Sequence, residues 1–199
     1  PAHMVNAYYS PDSNTIVFPA AILQAPFYSL EQSSSQNYGG IGAVIAHEIS
    51  HAFDNNGAQF DKEGNLNKWW LDKDYEAFEE KQKEMIALFD GVETEAGPAN
   101  GKLIVSENIA DQGGITAALT AAKDEKDVDL KAFFSQWAKI WRMKASKEFQ
   151  QMLLSMDVHA PAKLRANIPP TNLEEFYETF DVKETDKMYR APENRLKIW

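Results

Sequence analysis

The residue pattern with the clearest chemical meaning is His47-Glu48-Ile49-Ser50-His51. On an α-helix, residues four apart differ by roughly 40° around the axis, so both imidazoles can reach one metal ion. Glu48 lies between them in angle, which places its carboxylate where a base acting on a metal-activated water has to be. The pattern therefore predicts a metal site with hydrolytic chemistry. The competing interpretation is a metal-free structural helix that holds two of the chain's 4 histidines by chance.

A catalytic zinc ion needs a third protein ligand and keeps a fourth position open for water or substrate. The chain has no cysteine, so the third ligand has to be His, Asp or Glu. Glu107 is the best candidate by pattern, because Glu107 and Asp111 share a helix face and Asp111 could accept a hydrogen bond from a ligand histidine. Acidic pairs at this spacing are also common on solvated helices, so the residues alone leave other carboxylates open.

The elements that must position these side chains are mainly helical. We predict a buried helix over 40–53 that carries the two histidines, and a second over 104–122 that carries Glu107, although Gly113-Gly114 would ordinarily stop it. We also predict a two-stranded element from 5–9 and 15–18, and loops over 61–67 and 93–102. The remaining predicted elements are a short helix or turn over 20–28 and helices over 72–89, 130–152 and 171–180, the last begun by a capping box at Thr171-Asn172-Leu173-Glu174.

Composition narrows the class of protein. At 199 residues the chain fits one domain, and its formal net charge of -10 opposes binding to nucleic acid or an anionic membrane. No apolar run is long enough for a membrane helix. The segment 1–4 has no signal-peptide character and no initiator methionine, so we expect a fragment of a longer or processed chain. The lack of cysteine favours the bacterial cytoplasm, with an extracellular or membrane-anchored full-length protein left open.

Seven stretches spanning almost the whole chain resemble the neprilysin and endothelin-converting-enzyme family of zinc endopeptidases, in its bacterial endopeptidase O form. They are 5–11, 16–20, 44–54, 107–111, 159–161, Arg165 and Trp199. This resemblance implies a thermolysin-like (gluzincin) catalytic domain over residues 1–199, mainly α with a small antiparallel β element. It also implies that the second helix continues through Gly113-Gly114.

The resemblance further implies how the metal is held. One Zn²⁺ per chain would be bound by His47, His51 and Glu107. Asp111 would orient the first of these histidines, and Asp54 would orient the second.

The resemblance also implies residues that act on the peptide. Glu48 would be the general base for the zinc-bound water that attacks the peptide carbonyl, and His159 would stabilise the resulting oxyanion. Arg165 would bind a carbonyl beyond the cleaved bond, while Asn6 and Ala7 would hold the peptide backbone extended. The apolar pocket for the residue just after that bond would be formed by Ile22, Phe27, Val44, Ile140 and Trp141.

Each of these roles has a simpler alternative. By composition, the five apolar residues would belong to an ordinary core, and the two orienting aspartates to a helix end and a solvated surface. His159, Arg165 and Asn6 would equally suit a surface histidine, a solvated charge and a turn.

The function expected from the resemblance is hydrolysis of short peptides on the amino side of hydrophobic residues. The family also has a large N-terminal helical region that caps the active site, and it is absent from these 199 residues. That region of the same full-length protein is therefore an expected partner. The alternative is a peptide-binding or scaffold fragment that is inactive without it.

Overall fold

The computed structural model describes residues 1–199 and contains eight α-helices and two small antiparallel sheets. This confirms the predicted mainly α class with a small β element. The helices are α1 (Ser34–Asn37), α2 (Ala43–Ser50), α3 (Asp72–Phe89), α4 (Val105–Lys123), α5 (Leu130–Ile140), α6 (Lys147–Met156), α7 (Ala162–Asn167) and α8 (Glu174–Phe180). The strands are β1 (Tyr8–Ser10), β2 (Thr15–Val17), β3 (Glu93–Thr94) and β4 (Gly97–Pro98). None of the helices has both the length and the apolar character needed to cross a membrane.

Helix α4 lies at the centre of the molecule. Twelve of its 19 residues are buried, and they belong to two separate apolar clusters. Val105 and Ile109 pack with residues of α3 and the C-terminal segment, whereas Ile115 and Leu119 pack with α5 and α8. A helix that is buried on several faces has no single apolar stripe, and here it fixes everything that packs around it.

The two glycines in the middle of α4 allow α2 to approach it closely. The helix runs through Gly113 and Gly114 without interruption, as the resemblance implied. A Cβ atom at Gly114 would lie 2.8 Å from the carbonyl oxygen of Ala43 and 2.9 Å from the backbone nitrogen of His47. A Cβ atom at Gly113 would overlap the side chain of Ser50. Only glycine therefore permits this separation of the two helices.

The predicted helix over 40–53 is divided into three parts. Tyr38–Gly42 forms a wide π-type turn with a kink at Gly40, and it leads into α2. His51–Phe53 continues as a tighter 3₁₀ turn. The two motif histidines thus lie in the second half of α2 and at its C-terminal end.

The prediction of one helix over 130–152 was wrong. The chain forms α5 and α6 with a bend between them, although no glycine or proline lies in that stretch. Ser146 caps α6 by accepting a hydrogen bond from the backbone nitrogen of Phe149, an alternative to continuing the helix. Trp141, the residue that ends α5, packs its ring against Trp137 one turn earlier.

The predicted capping box before α8 was also wrong. Pro169–Asn172 forms a 3₁₀ turn, and α8 begins after Leu173, which has no side-chain cap. The Thr171 hydroxyl instead donates to the carbonyl oxygen of Ile168, and the Glu174 carboxylate forms an ion pair with Arg195. The two side chains that a capping box needs therefore bond elsewhere.

The β structure is limited to two hairpins. β1 pairs with β2 in the register Tyr8↔Val17, close to the predicted strands. The segment predicted as a loop over 93–102 contains the β3–β4 hairpin, stabilised by a hydrogen bond from the Thr94 hydroxyl to the carbonyl of Gly97.

Gly114→Ala should destabilise the fold, because the added methyl group would force α2 and α4 apart. We expect a loss of about 1 to 3 kcal/mol, typical of overpacking, even though alanine is the better helix former. The control is Ala117→Gly on the exposed side of the same helix, where only helix propensity changes and the cost is about 1 kcal/mol. Urea unfolding measures both, and a Gly114→Ala variant more stable than wild type would contradict the packing argument.

Candidate metal centre

Three predicted ligand side chains meet between α2 and α4. His47 Nε2 lies 3.0 Å from His51 Nε2 and 3.2 Å from Glu107 Oε2. His51 Nε2 lies 3.5 Å from the same carboxylate oxygen. Ligand atoms placed about 2.0 to 2.1 Å from a tetrahedral zinc ion are roughly 3.4 Å from one another, so these separations fit a single ion.

The hydrogen bonding of these side chains also fits a cation. His47 Nδ1 donates to Asp111 Oδ1 at 2.8 Å, and His51 Nδ1 donates to Asp54 Oδ2 at 2.7 Å. Without a metal, burial lowers the pKa of both rings, but the contacts with Asp111, Asp54 and Glu107 outweigh it and raise the pKa, that of His51 to about 10. A carboxylate only accepts, so once each imidazole is neutral, as metal binding requires, its Nε2 lone pair points towards its neighbour. Glu107 Oε2 is buried and receives no hydrogen bond of acceptable geometry. Two lone pairs and an unpartnered carboxylate oxygen converge, an arrangement that a divalent cation stabilises.

Asp54 is held by four hydrogen bonds. Its Oδ1 accepts from the backbone nitrogens of Asn56 and Gly57, both at 2.7 Å. Its Oδ2 accepts from the Ser106 hydroxyl at 2.5 Å as well as from His51. The Ser106 oxygen in turn accepts from Asn56 Nδ2 at 3.1 Å. The carboxylate that orients His51 is therefore tied to the first turns of α4.

Asp111 is paired with a buried arginine. Arg165 Nε and Nη2 donate to its two oxygens, each at 2.7 Å. Burial opposes ionisation of Asp111, but the Arg165 charge and the His47 contact outweigh it and lower the pKa of the carboxyl to about 2. The Arg165 guanidinium lies 3.7 Å from the centre of the Trp141 ring, and its Nη1 has no hydrogen-bond partner within the chain. The sequence prediction of a solvated or substrate-binding charge did not include this ion pair.

The acid–base properties of the two glutamates diverge. Burial raises the pKa of Glu48, and the charges of His47 and His51 only partly oppose it. At Glu107, burial acts in the same direction, but the facing imidazoles, His159 most of all, outweigh it and hold the pKa well below its usual range. Glu48 is thus the better proton acceptor at neutral pH, and Glu107 the better anionic ligand. One atom from each of His47, Glu48 and His51 lies within 4.8 Å of the other two.

His159 approaches the cluster from a third direction. Its Nε2 lies 3.2 Å from Glu107 Oε2, while its Nδ1 donates to Asp157 Oδ1 at 2.7 Å. The backbone nitrogen of His159 also donates to Asp157 Oδ1 at 3.0 Å. About two-fifths of the His159 side chain is exposed (42%), so the ring remains accessible to a ligand.

The residues predicted to contact the peptide fall into two groups. Asn6, Ile140, Trp141, His159 and Arg165 all line a cavity of about 640 Å³. The five predicted pocket residues lie in a single apolar cluster, in which Ala7 is partly buried. Three of these five, Ile22, Val44 and Ile140, are less than 9% exposed, as expected of core residues. The structure therefore brings all of them together, and their role as a pocket stays a prediction.

Two residues that the sequence reasoning missed hold the site in place, namely Ser106 and Asp157. Asp157 could have been found from its spacing, because an aspartate two residues before a candidate histidine can close a short hydrogen-bonded ring with it. Ser106 carries no such signal, because its contact with Asp54 spans 52 residues of chain.

Comparison with known proteins adds a family to this geometry. The sequence profile described as Peptidase family M13 matches residues 6–196. The chain is 99% identical over 199 residues to a neutral endopeptidase of Lactococcus lactis subsp. lactis (strain IL1403), covering 100% of this chain and 32% of that protein. It is 37% identical over 209 residues to endothelin-converting enzyme 1 of Bos taurus, covering 98% of this chain and 28% of that enzyme.

Solved structures show the same architecture. PEPO from Lactobacillus rhamnosis HN001 matches with a TM-score of 0.96 at 50% identity, covering 100% of this chain and 32% of that chain. The zinc metalloprotease ZMP1 of Mycobacterium tuberculosis in complex with an inhibitor matches with a TM-score of 0.93 at 38% identity, covering 100% and 33%, respectively. The predicted family resemblance and zinc-peptidase fold are confirmed. This chain spans about a third of the length of these relatives.

Ser106→Ala should weaken metal binding although Ser106 is not a ligand. Loss of the hydroxyl removes one of the four hydrogen bonds that fix Asp54, so His51 becomes less well oriented. Removing a direct partner of a ligand typically lowers metal affinity about 10- to 100-fold, and we expect a smaller loss here. Competition with a chromophoric chelator measures the affinity. Thr120→Ala, which removes an exposed hydroxyl from the same helix, is the control, and equal affinities in all three proteins would contradict a role for Ser106.

Proposed function

The chain belongs to peptidase family M13, and from this membership we propose that it forms the zinc-binding catalytic part of an endopeptidase acting on short peptides. The observation that carries the proposal is the convergence of His47, His51 and Glu107 on one point, with Glu48 beside it. A zinc ion bound there would polarise a carbonyl and lower the pKa of water to about 7.

The groups around the three proposed ligands suit each of them to binding a cation. Asp111 and Asp54 accept the Nδ1 protons of the two histidines, which fixes each ring with Nε2 directed at the centre. Glu107 supplies the negative charge that the two neutral imidazoles lack. The fit therefore rests on donor chemistry as well as on distance.

Glu48 is proposed as the general base. It is buried, with a pKa raised in the direction that suits proton transfer near neutral pH. In this role it removes a proton from the attacking water and delivers it to the leaving amine.

His159 is proposed to stabilise the developing oxyanion. Asp157 holds the ring through both Nδ1 and the backbone nitrogen, so Nε2 faces the centre without reorganisation. Because Nδ1 already donates to Asp157, Nε2 donates only when the ring is protonated; burial lowers the pKa of His159, but the contact with Glu107 outweighs it and raises the pKa. A donor fixed in advance towards the carbonyl oxygen contributes most where negative charge appears in the transition state.

The proposed specificity is cleavage on the amino side of hydrophobic residues. Its support is the apolar cluster around Ile22, Val44 and Ile140, which adjoins the 640 Å³ cavity through Ile140 and Trp141. A bulky apolar side chain entering between these residues would remain shielded from water.

Glu48→Gln should retain zinc but lose activity by about 10²- to 10⁴-fold, since it removes the proton acceptor alone. His51→Ala should lose both zinc and activity, since it removes a ligand. Elemental analysis and cleavage of a peptide with one central phenylalanine measure the two properties. The full-length protein and the 199-residue chain should be compared, because activity in the former alone would favour a fragment that depends on its N-terminal region. Turnover at the wild-type rate by Glu48→Gln would exclude Glu48 as the base.

His159→Gln should lower kcat by about 10²- to 10³-fold, since it removes a donor to the oxyanion. KM should change little, because the donor acts mainly in the transition state. Steady-state kinetics at saturating zinc separate the two parameters. A rise in KM with kcat unchanged would instead assign His159 to ground-state binding.

A further inference from the structure

The 640 Å³ cavity extends well beyond the residues proposed to act in hydrolysis. Part of its wall is formed by Asn6, His159 and Arg165. Because His159 Nε2 lies 3.2 Å from Glu107 Oε2, this part adjoins the candidate metal centre. The remaining wall comes from the β3–β4 hairpin, helix α6, and the bend between α5 and α6. A peptide bound at the metal centre would thus have a continuous path into this space.

The charges on this wall are unbalanced. Its basic residues are Arg142, Lys144, Lys163 and Arg165, and its acidic residues are Glu95 and Asp157. Arg165 forms an ion pair with Asp111, and Asp157 forms one with His159. Arg142, Lys144 and Lys163 are exposed and form no ion pair with any carboxylate of the chain. The wall therefore carries three basic side chains without an ion pair, but only one such acidic side chain, Glu95.

This local excess contrasts with the whole chain. The formal net charge is -10, so the average surface repels anions. The group of basic side chains on this concave wall, next to the proposed active site, therefore differs in charge from the rest of the surface. Concave, partly desolvated walls also strengthen charge interactions relative to a flat surface.

The bend between α5 and α6 places two of these cations next to the site. Arg142 directly follows Trp141, whose ring lies under the Arg165 guanidinium at 3.7 Å. Had the helix continued through 141–146, as the sequence predicted, these side chains would have been distributed around its axis. The bend instead presents both Arg142 and Lys144 to the cavity.

We propose that Arg142 and Lys144 form a subsite that binds a carboxylate of the peptide substrate, a few residues from the cleaved bond. The inference rests on the proposed peptidase function and adds a substrate class to it. Arginine offers a planar fork that pairs with a carboxylate through two hydrogen bonds, and lysine adds a mobile point charge. The carboxylate comes from an Asp or Glu side chain or from the free C-terminus of a short peptide.

The test measures binding separately from hydrolysis. Zinc-loaded Glu48→Gln in the full-length protein is titrated with peptides that share one sequence around a central phenylalanine. The first pair has the same residues and differs only at the C-terminus, which is a free acid in one peptide and an amide in the other. In the second set every peptide has an amidated C-terminus, and a single Gln on one side or the other of the phenylalanine is replaced by Glu. We expect the carboxylate-bearing peptide to bind about fivefold to tenfold more tightly in at least one pair, as for one or two partly exposed charge pairs. The pair that responds identifies the source of the carboxylate.

Arg142→Gln/Lys144→Gln should abolish this preference while leaving the affinity for the uncharged peptides unchanged. The matched control is Lys131→Gln/Lys147→Gln, which removes the same charge from exposed positions that do not line the cavity. The control should keep the preference, which excludes a general effect of net charge. An equal loss for charged and uncharged peptides, or a preference that survives in the double variant, would overturn the subsite. Peptides cleaved by the active protein with no preference would overturn the subsite alone, whereas failure to bind or cleave any peptide would overturn the proposed function with it.

Discussion

The close approach of α2 and α4 is the constraint on which the rest of the structure depends. Two of the proposed ligands come from α2 and its C-terminal end, and the third comes from α4, so the helices must hold atoms roughly 3.4 Å apart across their interface. Helix axes usually lie about 8 to 10 Å apart, a distance set by the side chains between them. Gly114 removes the side chain where the α2 backbone passes, at Ala43 and His47. The same contact that packs the core therefore also sets the geometry of the metal site.

The second constraint is negative charge. Glu48, Asp54 and Asp111, which are buried, and Glu107, which is partly buried, surround two imidazoles. Carboxylates removed from water are costly unless they are paired or hydrogen-bonded. Asp54 has four donors, and Asp111 has His47 together with two donors from Arg165, so these two are satisfied within the chain. Glu107 Oε2 is not. The carboxylate oxygen that lacks a partner, Glu107 Oε2, thus lies at the point where the histidine lone pairs converge.

The sequence predicted those parts of the site that depend on local spacing. His47 and His51 follow from helical periodicity, and their separation survives although the predicted helix is divided at Gly42 and Ser50. Glu107 could not be selected from its residues alone, because its partnership with α2 arises only when the two helices pack. The family resemblance supplied it, as it supplied the continuation of α4 through the glycines. What neither source supplied were contacts between distant segments, such as Ser106 with Asp54 and Arg165 with Asp111.

The same limit explains why the prediction of one helix over 130–152 was wrong at the bend after α5. Residues 130–152 have good helical periodicity, and local propensity gives no reason to stop. The helix ends at Trp141, whose ring lies against the Arg165 guanidinium, and Ser146 caps a new helix. Arg165 is paired in turn with Asp111, so the end of α5 packs against the same ion pair that also orients His47, a contact between distant segments.

This chain of contacts limits how Arg165 can be interpreted. Its guanidinium lines the cavity and has one terminal nitrogen without a partner, which suits a contact with substrate. Its other donors neutralise Asp111, a side chain that is 1% exposed. Removing the arginine would leave that buried carboxylate with His47 alone, and breaking a buried ion pair costs about 3 to 5 kcal/mol in comparable cases. It would also release the acceptor that fixes His47. In the proposed function, substrate affinity and metal retention would share this residue, and a change in KM after mutation of Arg165 would report on both.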